Sequence, residues 1–108
     1  VSSGVFTFPS TGIYLVDFTV LIFGSVNADV QIDFSIYVQE GGSSYQIARG
    51  FEEVAHGADT SGRISTLMDV TNTSTIKVKF FIESNINLVR GGSGNNQTCM
   101  TFIRLGDT

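Results

Sequence analysis

Residues 13–23, IYLVDFTVLIF, are apolar or aromatic at every position except Asp17 and Thr19. Read with the two-residue period of a strand, Tyr14, Val16, Phe18, Val20 and Ile22 line one face. Ile13, Leu15, Asp17, Thr19, Leu21 and Phe23 line the other. A half-buried strand needs one apolar face, and this one has two. Both faces are therefore expected to be covered. In a chain of 108 residues, the second cover is expected to come from another chain.

The rest of the sequence supports strands rather than helices. Gly occupies twelve positions, good helix formers are sparse, and β-branched and aromatic residues dominate. A hydrophobic fraction of 42% with 15% charged residues describes a folded chain with room for one domain, residues 1–108. A formal net charge of −4 with six scattered basic residues argues against nucleic acid as a partner. No apolar run reaches the length of a membrane-spanning helix and no basic leader opens the chain, so membrane insertion is not expected. The chain opens on Val1 rather than Met, which reads as the C-terminal part of something longer. A lone Cys99 makes no internal disulfide and is expected to act as a small buried hydrophobe.

Alternation places the other strands. Val5 to Phe8 sets Phe6 and Phe8 against Val5 and Thr7, and Pro9 ends it. Asp29 to Gln39 sets Val30, Ile32, Phe34, Ile36 and Val38 against a polar face. Residues 40–44 read as a hairpin loop, with a return strand from Tyr45 to Phe51. Residues 52–63 read as a polar loop. Ile64 to Val70 and Ile76 to Glu83 flank a turn at Asn72-Thr73-Ser74, residues 85–97 form a second long loop, and Thr98 to Leu105 closes the chain. About eight strands at these spacings predict an all-β sandwich or barrel.

Chemistry-bearing patterns are few. His56 is the sole imidazole, so a metal site built on several His is not available. Glu52, Glu53, His56 and Asp59 cluster in sequence but read as a solvated polar loop rather than a weak metal site. Nothing in the spacing joins Cys99 to His56 as a nucleophile and base. Asp29 and Asp33 share a region, as a glycosidase pair could, yet a carboxylate on a wet strand face is ordinary. Asn72-Thr73-Ser74 and Asn96-Gln97-Thr98 match the glycosylation sequon at a frequency chance accounts for in a chain this rich in Asn, Ser and Thr. The Gly91 to Gly94 loop lacks the Lys and the helix of a phosphate loop. No catalytic residue, cofactor or metal is expected.

The turn at Pro9, followed by Gly12-Ile13-Tyr14 and a long apolar strand, resembles the start of the central strand of the tumour necrosis factor and C1q-like superfamily. The terminal Thr98–Leu105 segment resembles that superfamily's last strand, and the order of strands agrees over nearly the whole chain. The polar turn after Met68 departs from the Gly-Asp usual there. The resemblance implies a jelly-roll β-sandwich, a compact homotrimer, and a last strand in the middle of the inner sheet. By strand parity, the implied trimer interface is Leu15, Asp17, Leu67, Met100, Phe102 and Arg104, while Tyr14, Phe18, Phe34, Phe80 and Ile103 are buried within one subunit. Three Asp17 carboxylates near a threefold axis would repel by roughly 3 kcal/mol per pair at about 6 Å. An Asp17–Arg104 ion pair is expected to relieve that. The implied function is a non-enzymatic head domain for trimerisation and attachment to a cell-surface receptor or glycan. Its composition suits an extracellular protein or a virion surface, as at a phage or bacterial fibre tip. Alternatives are a soluble signalling ligand of the tumour necrosis factor type and a glycan-binding jelly-roll lectin or enzyme.

Overall fold

A computed structural model of the chain describes residues 4–23, 30–55, 57–83, 88–89, 94 and 97–108. The described residues form eight strands and no helix: β1 (Val5–Thr7), β2 (Gly12–Phe23), β3 (Val30–Glu40), β4 (Ser43–Val54), β5 (Thr60–Val70), β6 (Ile76–Glu83), β7 (Leu88–Val89) and β8 (Cys99–Gly106). They make two antiparallel sheets. One has the order β1-β6-β3-β4; in the other β2 is central, with β5 on one side and β7 and β8 on the other. The chain is an all-β sandwich.

The alternation that defines the strands also defines the core. All five residues on the Tyr14–Ile22 face of β2 are buried, and they meet Ile32, Phe34, Ile36 and Val38 of β3 and Val78 of β6. Phe18 and Phe34 cross the gap between sheets edge to face, centroids 6.4 Å apart. Phe6, Phe8, Phe80 and Phe102 form an aromatic cluster at one side of the core, the offset and edge-on geometry that ring quadrupoles favour. Tyr14 is buried, and its hydroxyl donates to the Ser10 carbonyl at 2.9 Å. That bond meets the polar requirement of a buried phenol.

Two glycines face the Phe34 ring. A methyl group on Gly62 would lie 2.5 Å from the Phe34 ring, and one on Gly50 would lie 2.6 Å from it. Phe34 therefore lies across a slot in β4 and β5 that only glycine leaves open.

Two expectations about extent and order are corrected. Residues 52–63 are mostly strand, since β4 continues to Val54 and β5 starts at Thr60. Val54 and Gly62 are buried while Glu53, Ser61 and Arg63 are exposed, so this polar stretch supplies the wet faces of two strands, β4 paired with β3 in one sheet and β5 paired with β2 in the other. The last strand is not in the middle of its sheet: among the described residues β8 pairs with β2 alone. The β3–β4 hairpin closes on two residues, Gly41 and Gly42, between the Glu40–Ser43 partners. Gly41 adopts a φ of 59°, the left-handed region such turns require.

Candidate interaction faces

The outward face of the β5-β2-β8 sheet is built in rows, because residues directly opposite in an antiparallel ladder share a face. Leu67, Leu15 and Ile103 form one row, Ser65, Asp17 and Thr101 the next, and Arg63, Thr19 and Cys99 the third. Leu67 is 62% exposed and Ile103 48%. The ladder shifts register between Ile13 and Tyr14, where Leu105 has no opposite partner in β2. Leu105 is also largely exposed. An apolar row across three strands thus opens to solvent within a single chain.

Of the six residues expected at a trimer interface, three lie on this face: Leu15, Asp17 and Leu67. Met100, Phe102 and Arg104 do not. They pair with Phe18, Val16 and Tyr14, the inward row of β2, and Met100 and Phe102 pack against the core. Ile103, expected inside, is outside, and so is Cys99, which is only partly buried. The cause is physical. Both faces of the last strand carry apolar residues, so parity does not choose between them. The ring of Phe102 does, by fitting among Phe6, Phe8 and Phe80. The remaining expected core residues agree: Tyr14, Phe18 and Phe34 are buried, and Phe80 is half-buried against them.

Asp17 and Arg104 do not meet. The Asp17 side chain is only 10% exposed and accepts from Arg63 Nε at 2.8 Å, while Arg63 stays 71% exposed. A buried carboxylate is tolerable only with such a partner. The hydrogen bond to Asp17 and then its charge hold the Arg63 guanidinium above its ordinary pKa. Arg104 instead donates Nε to the Thr11 carbonyl at 3.1 Å and Nη2 to Asp107 at 2.7 Å. It lies against Gly12, whose φ of 151° and lack of a side chain leave space for the guanidinium. The cation that serves Asp17 is thus Arg63, which belongs to β5 rather than to the polar loop expected over residues 52–63.

The opposite surface, the outward face of the β6-β3-β4 sheet, carries its own rows: Glu83, Asp33 and Phe51; Phe81, Ser35 and Arg49; Lys79, Tyr37 and Gln46. Arg49 Nη2 meets Asp33 at 2.6 Å. Tyr37 and Phe81 stack edge to face at 4.9 Å. An open depression of about 430 Å³ lies over these side chains. The alternation of residues 29–39 marks this face as wet, but only cross-strand register brings the two rings and four charges together.

Among the described residues no three His, Cys, Asp or Glu side chains converge as metal ligands. His56, Asp29 and Asn96, with most of residues 85–97, lie outside the described residues. At Asn72 the side chain is part of a turn, its Oδ1 accepting from the Ser74 amide at 2.9 Å.

No protein-family model matches the chain, and no curated protein shows significant similarity to it.

Proposed function

We propose that this chain is a non-enzymatic jelly-roll head domain of the tumour necrosis factor and C1q-like type, that it forms a homotrimer through the outward face of β5, β2 and β8, and that it serves attachment at a virion or cell surface. The observation that carries the reading is the Leu67–Leu15–Ile103 row, continued by Leu105 and open to water in the single chain. Contiguous apolar surface of this kind marks an association site. Identical copies meeting around a closed axis cover it without forming filaments. The strand orders β1-β6-β3-β4 and β5-β2-β8 support the jelly-roll reading, since strands distant in sequence lie side by side within each sheet while the chain crosses between the two.

The interface now proposed replaces Met100 and Phe102 with Ile103 and Leu105, and keeps Leu15 and Leu67. Asp17 and Arg63 lie beside the apolar row as an ion pair already made within one chain, so assembly does not have to neutralise the carboxylate. The test is the oligomeric state in solution. Sedimentation at micromolar concentration is expected to give a trimer, and Leu67→Asp with Ile103→Asp to give a folded monomer. A wild-type monomer at that concentration overturns the reading.

A further inference from the structure

We propose that the depression on the outward face of β3, β4 and β6 is a binding site for a neutral saccharide. The inference rests on the attachment half of the reading above and is independent of the assembly half, because the site lies on the sheet that the apolar row does not touch.

The floor of the depression carries an unmet polar requirement. Ser35 is 6% exposed and lies between Arg49 and Phe81 in the ladder. Its hydroxyl makes no hydrogen bond to another described residue. A buried hydroxyl ordinarily has a partner, so one supplied from the depression satisfies it. Around Ser35, the Asp33 carboxylate and the Arg49 guanidinium form a paired donor and acceptor at 2.6 Å, and the Gln46 amide contributes one of each.

Beside this polar set is an aromatic surface. Phe81 is 46% exposed and is held edge to face against Tyr37. Lys79 Nζ is 5.7 Å from its centroid, at the outer reach of a cation–π contact, on a flexible stem that a ligand can displace. A half-exposed ring fixed by a second ring offers a preorganised face with negative electrostatic character.

The ligand chemistry follows from this pairing. Asp33 and Glu83 balance Arg49 and Lys79, so the site carries no formal net charge and does not select a phosphate or a cation. β3, beneath the centre of the depression, is paired with both β4 and β6, so a peptide cannot add to that strand; β4 ends the sheet among the described residues, and the acidic peptide in the test below probes that edge. A pyranose has the complementary arrangement. One side of its ring presents C–H groups to an aromatic face, and its rim presents hydroxyls that both donate and accept, suited to Ser35, Gln46 and the Asp33–Arg49 pair.

The test is chemical-shift mapping of the ¹⁵N-labelled wild-type protein with lactose, maltotriose and methyl mannoside, with sialyllactose and a short acidic peptide as comparisons. Probes are raised to about 20 mM, well beyond the ~1 mM dissociation constant of a weak single site. At least one neutral sugar is expected to shift Ser35, Tyr37, Gln46 and Phe81. Phe81→Ala and Ser35→Ala are each expected to weaken that binding by about tenfold or more, while Lys77→Ala, outside the depression, leaves it unchanged. No shift with any neutral sugar overturns the proposal, as does a response confined to sialyllactose or the peptide. A trimer that binds no sugar refutes this site and leaves the assembly reading standing; a monomer that binds sugar here does the reverse.

Discussion

Phe34 shows how closely one side chain can constrain two strands. Its buried ring lies across Gly50 and Gly62 with no room for a methyl group on either. Gly62→Ala is therefore expected to destabilise by about 1–3 kcal/mol, because a close-packed ring has to move. Gly42→Ala, where nothing lies within 4 Å, is expected to change stability by about 0.5 kcal/mol or less. Urea midpoints of the two variants make the comparison, and equal midpoints refute the slot. A second asymmetry concerns the Asp17–Arg63 pair. The carboxylate is buried and the guanidinium is mostly in water. Arg63→Met leaves the buried Asp17 carboxylate without its partner and is expected to be the more destabilising change. Asp17→Asn leaves an arginine free to hydrate and is expected to cost about 1 kcal/mol or less. The more exposed residue is thus the more sensitive one, and a reversed order in denaturation argues against Asp17 being held by Arg63. The sequence places Asp17 correctly on the outward face of its strand. It does not reveal Arg63 as the partner, because a run of Thr, Ser, Gly and Arg has no apolar alternation to mark it as a strand.

At the scale of elements, legibility follows how unequal the two faces of a strand are. β3 and β6 alternate cleanly, and β2 is correctly oriented because its Tyr14–Ile22 face is apolar throughout while the other contains Asp17 and Thr19. β8 has no such contrast: Cys99, Ile103 and Leu105 on one face compete with Met100 and Phe102 on the other. Only the place left among Phe6, Phe8 and Phe80 decides it. Substitutions on neighbouring residues separate the two orientations. Phe102→Glu introduces a charge into the aromatic cluster, where Phe102 is partly buried against the core, and is expected to destabilise the fold strongly, since the loss of a fully buried Phe costs about 3–5 kcal/mol before any charge is added. Ile103→Glu, one residue along, is expected to keep the fold and weaken association. Circular dichroism reports the first and sedimentation the second. A folded Phe102→Glu paired with an unfolded Ile103→Glu restores the opposite parity.

On the scale of the whole molecule, the two outward sheet faces differ in kind, one apolar in its leading row and one polar and aromatic, with the shared core between them. That division supports separate tasks for the two faces, association on one and recognition on the other. It also fixes how association responds to salt. Each copy carries a formal charge of −4, so copies repel as they approach, while the row proposed to join them is uncharged and the Asp17–Arg63 pair is closed within each chain. The principal extents of the chain are 46 × 30 × 22 Å. At about 0.01 M ionic strength the screening length is roughly 30 Å, comparable with the molecule, and the like charges of neighbouring copies interact across it. Near 0.15 M it falls to about 8 Å and most of that repulsion is lost. Burial of apolar surface is not weakened over this range. Added sodium chloride is therefore expected to shift the proposed monomer–trimer equilibrium towards the trimer, as a rise in weight-average mass at fixed protein concentration. If ion pairs across subunits held the assembly instead, the same salt would dissociate it. A fall in mass with salt therefore means that the Leu67–Leu15–Ile103 row is not what brings the copies together.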